Sequence, residues 1–284
     1  MTSRAEATTL RSESLLPSNF KNIFTADALT NSSGDLRRDQ MRMDPILLWI
    51  ERWRFRLLVM PSVLFVFTSA NKTLTGAQTG WYLPEAAHPY YVLRDNAKID
   101  FASPNGPNPE VDEGSVQMFK DDESVNFLND PEVKEKFANA KKLSDVDPND
   151  YDAIFYVGGH GPMIDLPIDP INIKLANAFY QAGKLTTAVC HGPGALVGVT
   201  DASGKSIFNG RNVTGFSDAE EEQVGKVKDV PFLLETRIKE LGGKYTKAEE
   251  AWSPKVVVDG HVITGQNPAS AKGVGEAILE ALTA

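Results

Sequence analysis

Short apolar runs alternate with helix-like segments from residue 63 onward, and this alternation constrains the fold more than any other feature of the chain. The runs are rich in β-branched and aromatic residues, which is typical of strands buried on both faces. Strands are predicted over residues 63–69, 98–102, 151–157, 185–189, 213–216, 255–258 and 261–264. The alternation predicts one α/β domain with a mostly parallel sheet and helices on both faces.

The segments between these strands carry helix signals. Helices are predicted over residues 85–93, 131–143, 171–182, 193–199, 218–225, 231–241 and 271–282. Asp259 and Gly260, between the last two strands, form a dipeptide typical of a tight hairpin turn. Ligands of such sheets bind at the carboxyl ends of the strands, so the functional residues are expected there.

Residues 1–59 differ from the rest of the chain. They contain nine Lys and Arg against seven Asp and Glu, whereas the remainder contains 20 against 31. We interpret them as a disordered leader or a misassigned start, with residues 60–284 as the α/β domain. The uncharged run 57–70 is shorter than the ~20 residues of a membrane-spanning helix. The apolar stretch 46–60 leaves open a role in covering an apolar patch, a dimer face or a membrane surface.

The overall composition excludes several classes of partner. A net charge of −9 argues against a nucleic-acid ligand, because neutralising phosphates requires an excess of Lys and Arg. The single cysteine cannot form an intramolecular disulfide, which fits a reducing compartment. The cytoplasm is expected, with the nucleus as an additional location and the mitochondrion as a less favoured one. No pair of the four histidines has the spacing of a metal motif, so no metal site is expected.

Cys190 directly follows a predicted strand, in residues 188–194 (AVCHGPG). Small residues stand two positions before and after it, Ala188 and Gly192, as in a nucleophile elbow, where the reactive side chain lies on a sharp strand-to-helix turn. The N-terminus of the following helix is expected to lower the pKa of the thiol. Cys190 is therefore predicted to be a catalytic nucleophile.

A glycine-rich turn, residues 158–161 (GGHG), ends the neighbouring strand. Glycines let backbone N–H groups point into a site without obstruction from side chains, as an oxyanion hole requires. The alternative interpretation is a plain tight turn.

Five motifs together resemble the ThiJ/PfpI superfamily, of the class I glutamine amidotransferase-like type. They are residues 188–194, 156–161 (YVGGHG), 79–85 (TGWYLPE), 213–217 (VTGFS) and 264–270 (TGQNPAS). The resemblance extends over residues 60–284 and is strongest to fungal heat-shock-type glutathione-independent glyoxalases, also known as glyoxalase III or D-lactate dehydratase. It implies a flavodoxin-like, doubly wound sheet with a small hairpin, a homodimer, and a role in the stress response.

The resemblance also implies roles for individual residues. Cys190 would be the nucleophile and His191 its partner. The third member would be an acid about thirty residues later, for which Glu222 is the choice and Glu221 the alternative. Glu220 is interpreted as part of a solvated helix face.

Further roles follow from the same resemblance. Glu85 matches the carboxyl group that lies against the sulfur, and the backbone N–H groups of Gly159 and His160 would form the oxyanion hole. Adjacent side chains often point apart, so either Glu85 or His191 could be the working base.

The implied reaction is cofactor-free conversion of methylglyoxal, a small 2-oxoaldehyde, to D-lactate through a hemithioacetal on Cys190. Three alternatives stay open: a holdase chaperone, a protein deglycase of the same superfamily, and a cysteine-dependent esterase. The esterase would use Cys190, an intervening aspartate and His261, and requires these side chains to meet.

Overall fold

The computed structural model of this protein describes residues 60–284. The interpretations of residues 1–59 lie outside the described residues. Among the helices of the described range, none combines the length and the apolar character that crossing a membrane requires.

One sheet dominates the described part of the chain. Its strands are β1 (Ser62–Val66), β2 (Lys98–Ser103), β3 (Lys141–Lys142), β4 (Ala153–Tyr156), β5 (Leu185–Val189), β8 (Val256–Asp259) and β9 (Val262–Gly265). They lie in the order β3-β2-β1-β4-β5-β9-β8, and all pairings are parallel except that of β8 with β9. The short strands β6 (Asn212–Val213) and β7 (Lys244–Tyr245) pair separately and in parallel.

Helices flank this sheet. They are α1 (Leu83–Leu93), α2 (Glu113–Met118), α3 (Asp122–Asn129), α4 (Pro131–Ala138), α5 (Pro170–Gln181), α6 (Asp218–Gln223), α7 (Leu234–Glu240) and α8 (Ala271–Thr283). Helix α8 contacts α1, β5 and β9, whereas α5 contacts β4 and β5. Successive residues of a strand point to opposite faces of the sheet. Because every residue of β4 and β9 is buried, both faces of the sheet are covered there.

The α/β prediction is confirmed, with local corrections. Helices α2 and α3 lie in a stretch for which no helix was predicted, although Asp112 and Asp121 cap them by accepting hydrogen bonds from backbone N–H groups three residues later. Helix α4 ends at Ala138, five residues earlier than predicted, because the chain must turn there to form β3. The element after β5 is only a 3-10 turn, Gly192–Leu196.

The strand order places the functional motifs at one edge. β1 is flanked by β2 and β4, so the direction of winding reverses between β1 and β4, and crevices at such points bind ligands. The GGHG turn follows β4, and Cys190 follows β5, its parallel neighbour. Both motifs therefore lie at the carboxyl edge of the sheet, beside this reversal.

A chain that begins at Met60 is expected to fold like the full chain, because β1 starts at Ser62 and the rest of the sheet follows it. The expected difference in melting temperature is below about 3 °C, which for a domain of this size corresponds to roughly 1 kcal/mol. Thermal melting of both chains, followed by circular dichroism, measures this difference. A markedly lower melting temperature for the shorter chain would show that residues 1–59 contribute to the folded protein.

Candidate active site

Cys190 lies in a strained turn at the end of β5. Its φ of 58° is in the left-handed region, which non-glycine residues rarely adopt. Two backbone hydrogen bonds hold this conformation: Cys190 N–H donates to the Gly265 carbonyl (2.9 Å), and Phe216 N–H donates to the Cys190 carbonyl (2.8 Å). The side chain is thereby directed away from the path of the strand.

The small residues around Cys190 allow this turn to approach β4 closely. A Cβ atom on Gly192 would lie 2.5 Å from the Tyr156 carbonyl oxygen, far inside van der Waals contact, and 3.4 Å from the Cβ of Ala188. A larger side chain at Gly192 would push the turn away from β4. The predicted nucleophile-elbow geometry is therefore present.

His191 makes contact with the sulfur although it is the next residue. Its Nδ1 lies 3.4 Å from Cys190 Sγ, because the left-handed backbone of Cys190 removes the alternation that would otherwise point the two side chains apart. The imidazole ring is held between the rings of His160 and Phe216, each with a centroid distance of 4.3 Å. His191 is therefore buried and oriented towards the thiol.

The acid that contacts His191 is Glu221. Its Oε2 lies 2.6 Å from His191 Nε2, whereas Glu222 is exposed. The choice of Glu222 as the third member is therefore wrong, and the alternative residue takes that place. Successive residues of a helix are rotated by about 100°, so Glu222 turns to solvent when Glu221 points inward.

The start of α6 determines which acids point inward. Ser217 and Glu220 form a capping box. The Glu220 N–H donates to the Ser217 hydroxyl oxygen, and the N–H and O–H groups of Ser217 both donate to Glu220 Oε2. With Ser217 at the cap, Glu220 is the third helical residue and Glu221 the fourth. The Ser-x-x-Glu pattern of residues 217–220 is therefore a sequence signal for where this helix begins.

Glu220 is also buried, contrary to its interpretation as part of a solvated face. Its Oε1 accepts hydrogen bonds from the Trp252 backbone and from the side chains of Gln266 and Asn267. Hydrogen bonds from Asn267, Ser217 and the Trp252 backbone hold the pKa of the Glu220 carboxyl below its usual value despite burial. Glu220 thus ties the TGQNPAS motif to the start of α6.

The side chain of His160 enters the site, which sequence reasoning missed. His160 Nε2 lies 2.9 Å from Glu221 Oε1, so one carboxylate contacts two imidazoles through its two oxygens. Although Glu221 is buried, the two histidines hold its pKa far below its usual range. Burial, together with the nearby charge of His191, lowers the pKa of His160 to about 4.

Three side chains of types that bind metals thus converge, since their ligand atoms lie within 4.8 Å of one another: His160, His191 and Glu221. Both imidazole Nε2 atoms and both carboxylate oxygens are already engaged in hydrogen bonds within the group. The hydrogen-bond network accounts for the convergence.

Glu85 lies in the first turn of α1, on the other side of the sulfur. It is fully buried, and among the described residues neither carboxyl oxygen has a well-oriented hydrogen-bond partner. Gly158 makes room for it, since a Cβ there would overlap Glu85 Oε2 and lie 2.8 Å from the Cys190 Cβ. Burial raises the pKa of Glu85 well above its ordinary value, although the interactions with Cys190 and the Gly158 amide oppose the rise.

The thiol is not activated by a helix dipole. Burial raises the pKa of Cys190 well above its usual value, and the neighbouring Glu85 adds to this rise. The prediction of a lowered thiol pKa is therefore wrong. A single 3-10 turn follows Cys190 in place of an α-helix, and a dipole contribution of about 0.3–1 kcal/mol is small against removing a thiolate from water. The thiol consequently requires a base, which His191 can provide.

The GGHG turn presents the backbone amide of Gly159 to the sulfur. The N–H of Gly159 interacts with the Cys190 thiolate and lowers the thiol pKa in part. Gly159 has a φ of 102°, and a Cβ at this position would lie 2.5 Å from the Gly80 carbonyl oxygen. Among the described residues, neither Gly159 N–H nor His160 N–H donates to a backbone carbonyl. Both amides therefore remain candidates for an oxyanion hole.

His261 lies at the opposite end of the sheet from Cys190. Its carbonyl accepts from Thr186 N–H (2.8 Å), and Cys190 comes four positions after Thr186, which is roughly 13 Å of extended chain. The ring of His261 packs on Tyr180. The proposed esterase triad through His261 is therefore wrong.

Residues 78–281 match the DJ-1/PfpI family. The chain is 34% identical to glyoxalase 3 of Candida albicans over 233 residues, which cover 78% of this chain and 98% of that protein. It is 31% identical to the glutathione-independent glyoxalase HSP31 of Saccharomyces cerevisiae, with coverage of 78% and 97%.

Solved structures agree with these sequence matches. The crystal structure of glyoxalase III from Candida albicans superposes with a TM-score of 0.71 and 32% identity, covering 78% of this chain and 97% of that one. The 24 kDa rapid encystment protein of Francisella tularensis superposes with a TM-score of 0.74 and 38% identity, covering 78% and 99%. The described part of the chain thus shares its fold with both.

The free energy of unfolding of Glu85→Gln, relative to that of the wild type, is expected to increase as pH rises. An unfolded Glu85 loses its proton near pH 4.5, while the folded one keeps it to higher pH. Between these two values the folded state therefore binds one more proton, and the wild type loses up to about 1.4 kcal/mol of stability per pH unit. Glu85→Gln has no such proton to lose.

Urea unfolding from pH 5 to pH 8 measures this difference. Glu222→Gln is the matched control, because Glu222 is exposed, and its stability should follow that of the wild type. A difference between wild type and Glu85→Gln that is independent of pH would contradict a protonated Glu85.

Proposed function

Since the chain belongs to the DJ-1/PfpI family, we propose that it is a glutathione-independent glyoxalase that converts methylglyoxal to D-lactate. Two of its relatives are named as glyoxalases, one of them as glutathione-independent, and the match covers nearly their whole length. The observation that carries the proposal is the relay from sulfur to carboxylate: Cys190 Sγ to His191 Nδ1 at 3.4 Å, and His191 Nε2 to Glu221 at 2.6 Å.

The first step in this proposal makes the nucleophile. Glu221 is ionised and accepts a hydrogen bond from His191 Nε2–H, so the lone pair of Nδ1 faces the thiol. His191 removes the thiol proton as the sulfur attacks the aldehyde carbon of methylglyoxal. The C–S bond forms, the carbonyl π electrons move to oxygen, and the result is a hemithioacetal.

The developing oxygen charge requires donors. The N–H groups of Gly159 and His160 lie at the turn beside the sulfur, and glycine before His160 leaves the approach open. Glu85 holds a proton in the resting site and can transfer it to this oxygen. Its carboxyl group then becomes a carboxylate next to the new C–S bond.

The second step moves hydrogen from C1 to C2. The Glu85 carboxylate removes the C1 proton while the His191 imidazolium protonates the C2 oxygen, which gives an enediol. Glu85 then protonates C2 and His191 removes the C1 hydroxyl proton, which gives a lactoyl thioester of Cys190. C1 is oxidised and C2 is reduced within the same molecule, so the isomerisation requires no external oxidant or reductant.

Hydrolysis completes the cycle. A water molecule attacks the thioester carbon and gives a proton to the Glu85 carboxylate. The C–S bond then breaks, and the His191 imidazolium returns its proton to the sulfur, so both side chains regain their resting protonation. The sum is methylglyoxal plus water to lactate and a proton, which the product acid releases to the solvent. The thiol that glutathione would otherwise supply belongs to the protein.

The burial of the site favours a small substrate. Cys190 is 3% exposed and His191 is 1% exposed. A three-carbon oxoaldehyde requires little space beside the sulfur, whereas a sugar adduct on a protein side chain must bring a second protein surface to a buried atom. We therefore favour the glyoxalase over the protein deglycase.

Cys190→Ala is expected to reduce lactate formation from methylglyoxal by at least about 10⁴-fold, because the covalent pathway is lost. An enzymatic D-lactate assay without glutathione measures it, and thermal melting checks the fold. Appreciable turnover by Cys190→Ala would exclude the nucleophile. Suppression of aggregation of a client protein by both forms, without lactate from either, would favour the holdase alternative.

Glu221→Gln and Glu222→Gln are a matched pair of adjacent, chemically identical changes. Glu221→Gln is expected to lower kcat by about 10–10³-fold, since a neutral amide stabilises the His191 imidazolium less well. Glu222→Gln should retain activity within about twofold, because the side chain is exposed. Equal losses in the two variants would contradict the assigned relay.

A further inference from the structure

We propose that His160 is a positioning residue of the active site: its Nε2–H fixes the second oxygen of Glu221 and thereby holds His191 in the tautomer that faces Cys190. This inference rests on the proposed function for its chemical purpose, although its geometry does not. It gives the His160 side chain a role separate from that of its backbone amide.

The contact is a side-chain hydrogen bond within a nearly closed site. His160 Nε2 and Glu221 Oε1 are 2.9 Å apart, and both side chains are less than one-tenth exposed. The two residues come from different elements, since His160 follows β4 and Glu221 belongs to α6. The bond therefore joins the sheet edge to the helix that carries the acid.

The protonation of both partners follows from their surroundings. Glu221 is ionised and can only accept, so His160 must be the donor through Nε2–H. A neutral imidazole, as burial dictates here, carries one proton, so the Nε2 bond determines its tautomer. The other charged groups that face His160 are His191 and, more weakly, Lys226.

The mechanical consequence concerns rotation of the carboxylate. A carboxylate held through one oxygen can swing about its terminal torsion, which is broad for glutamate. With Oε1 held by His160, Oε2 stays 2.6 Å from His191 Nε2. His191 then donates through Nε2 and presents the lone pair of Nδ1 to the sulfur.

Three variants separate a hydrogen-bonding role from a packing role. His160→Leu removes the donor and keeps an apolar body, whereas His160→Gln retains an N–H donor near the position of Nε2. His261→Leu makes the same chemical change at a histidine remote from the site and is the matched control.

The readout uses the single cysteine of the chain. Because Cys190 is the only thiol, the rate of iodoacetamide alkylation reports the thiolate at this position and does not depend on any assumed substrate. His160→Leu is expected to slow alkylation at pH 7 by about tenfold and to move the midpoint of its pH profile upward, since hydrogen bonds to charged groups are strong. His160→Gln should recover most of the rate, and His261→Leu should match the wild type.

Turnover of methylglyoxal gives a second readout. His160→Leu should lower kcat by about tenfold with KM changed by less than about twofold. In the background of Glu221→Gln, adding His160→Leu should cause no further loss, because the proposed effect passes through that carboxylate. If the wild type lacks glyoxalase activity, the proposed function fails, and the alkylation profiles still test the role of His160.

Three results would overturn the inference. One is a His160→Leu profile equal to that of the wild type, and another is equal impairment in His160→Leu and His160→Gln. The third needs no variant: ¹⁵N NMR of the wild-type histidines that places the proton of His160 on Nδ1 would remove the donor on which the proposal depends.

Discussion

The left-handed backbone at Cys190 is the constraint on which the rest of the site depends. A strained residue of this kind costs on the order of 1–3 kcal/mol and persists only where its surroundings over-determine it. Here Gly265 of β9 and Phe216 before α6 bond to the two backbone groups of Cys190. The same turn brings the next side chain, His191, onto the sulfur, which an extended backbone would not allow.

The site assigns opposite protonation states to two buried glutamates. Both lose the hydration that a carboxylate has in water, and this loss is the largest influence on each pKa. Glu221 has two imidazole donors, and they outweigh the loss, whereas Glu85 has only weak contacts and keeps its proton. This difference in protonation gives the two carboxyl groups different roles around one nucleophile: Glu85 can act as an acid, and Glu221 stabilises positive charge on His191.

Features of the fold that depend on a local sequence pattern could be predicted from the sequence alone. The parallel sheet, the turn at Cys190 and the hairpin follow from strand-like runs and from small residues at defined spacings. Three consecutive acids, Glu220 to Glu222, carry no such pattern, because charged residues usually indicate a solvated face. Which of them points inward depends on where α6 begins, and that depends on the cap at Ser217. Spacing from Cys190 alone therefore leaves both Glu221 and Glu222 as candidates for the acid.

His160 was beyond prediction for a different reason. Its glycine neighbours drew attention to the backbone of the turn, while the destination of its side chain depends on α6, some sixty residues later in the chain. Hydrogen bonds hold both flanks of the short helix α6: Tyr245 donates to the Gly215 carbonyl, and side chains of the TGQNPAS motif donate to Glu220. Contacts of this kind join segments that are remote in sequence, and no local spacing encodes them. The nucleophile turn and the acid thus come from separate elements of the chain, and the bond from Phe216 N–H to the Cys190 carbonyl couples the start of α6 to the turn.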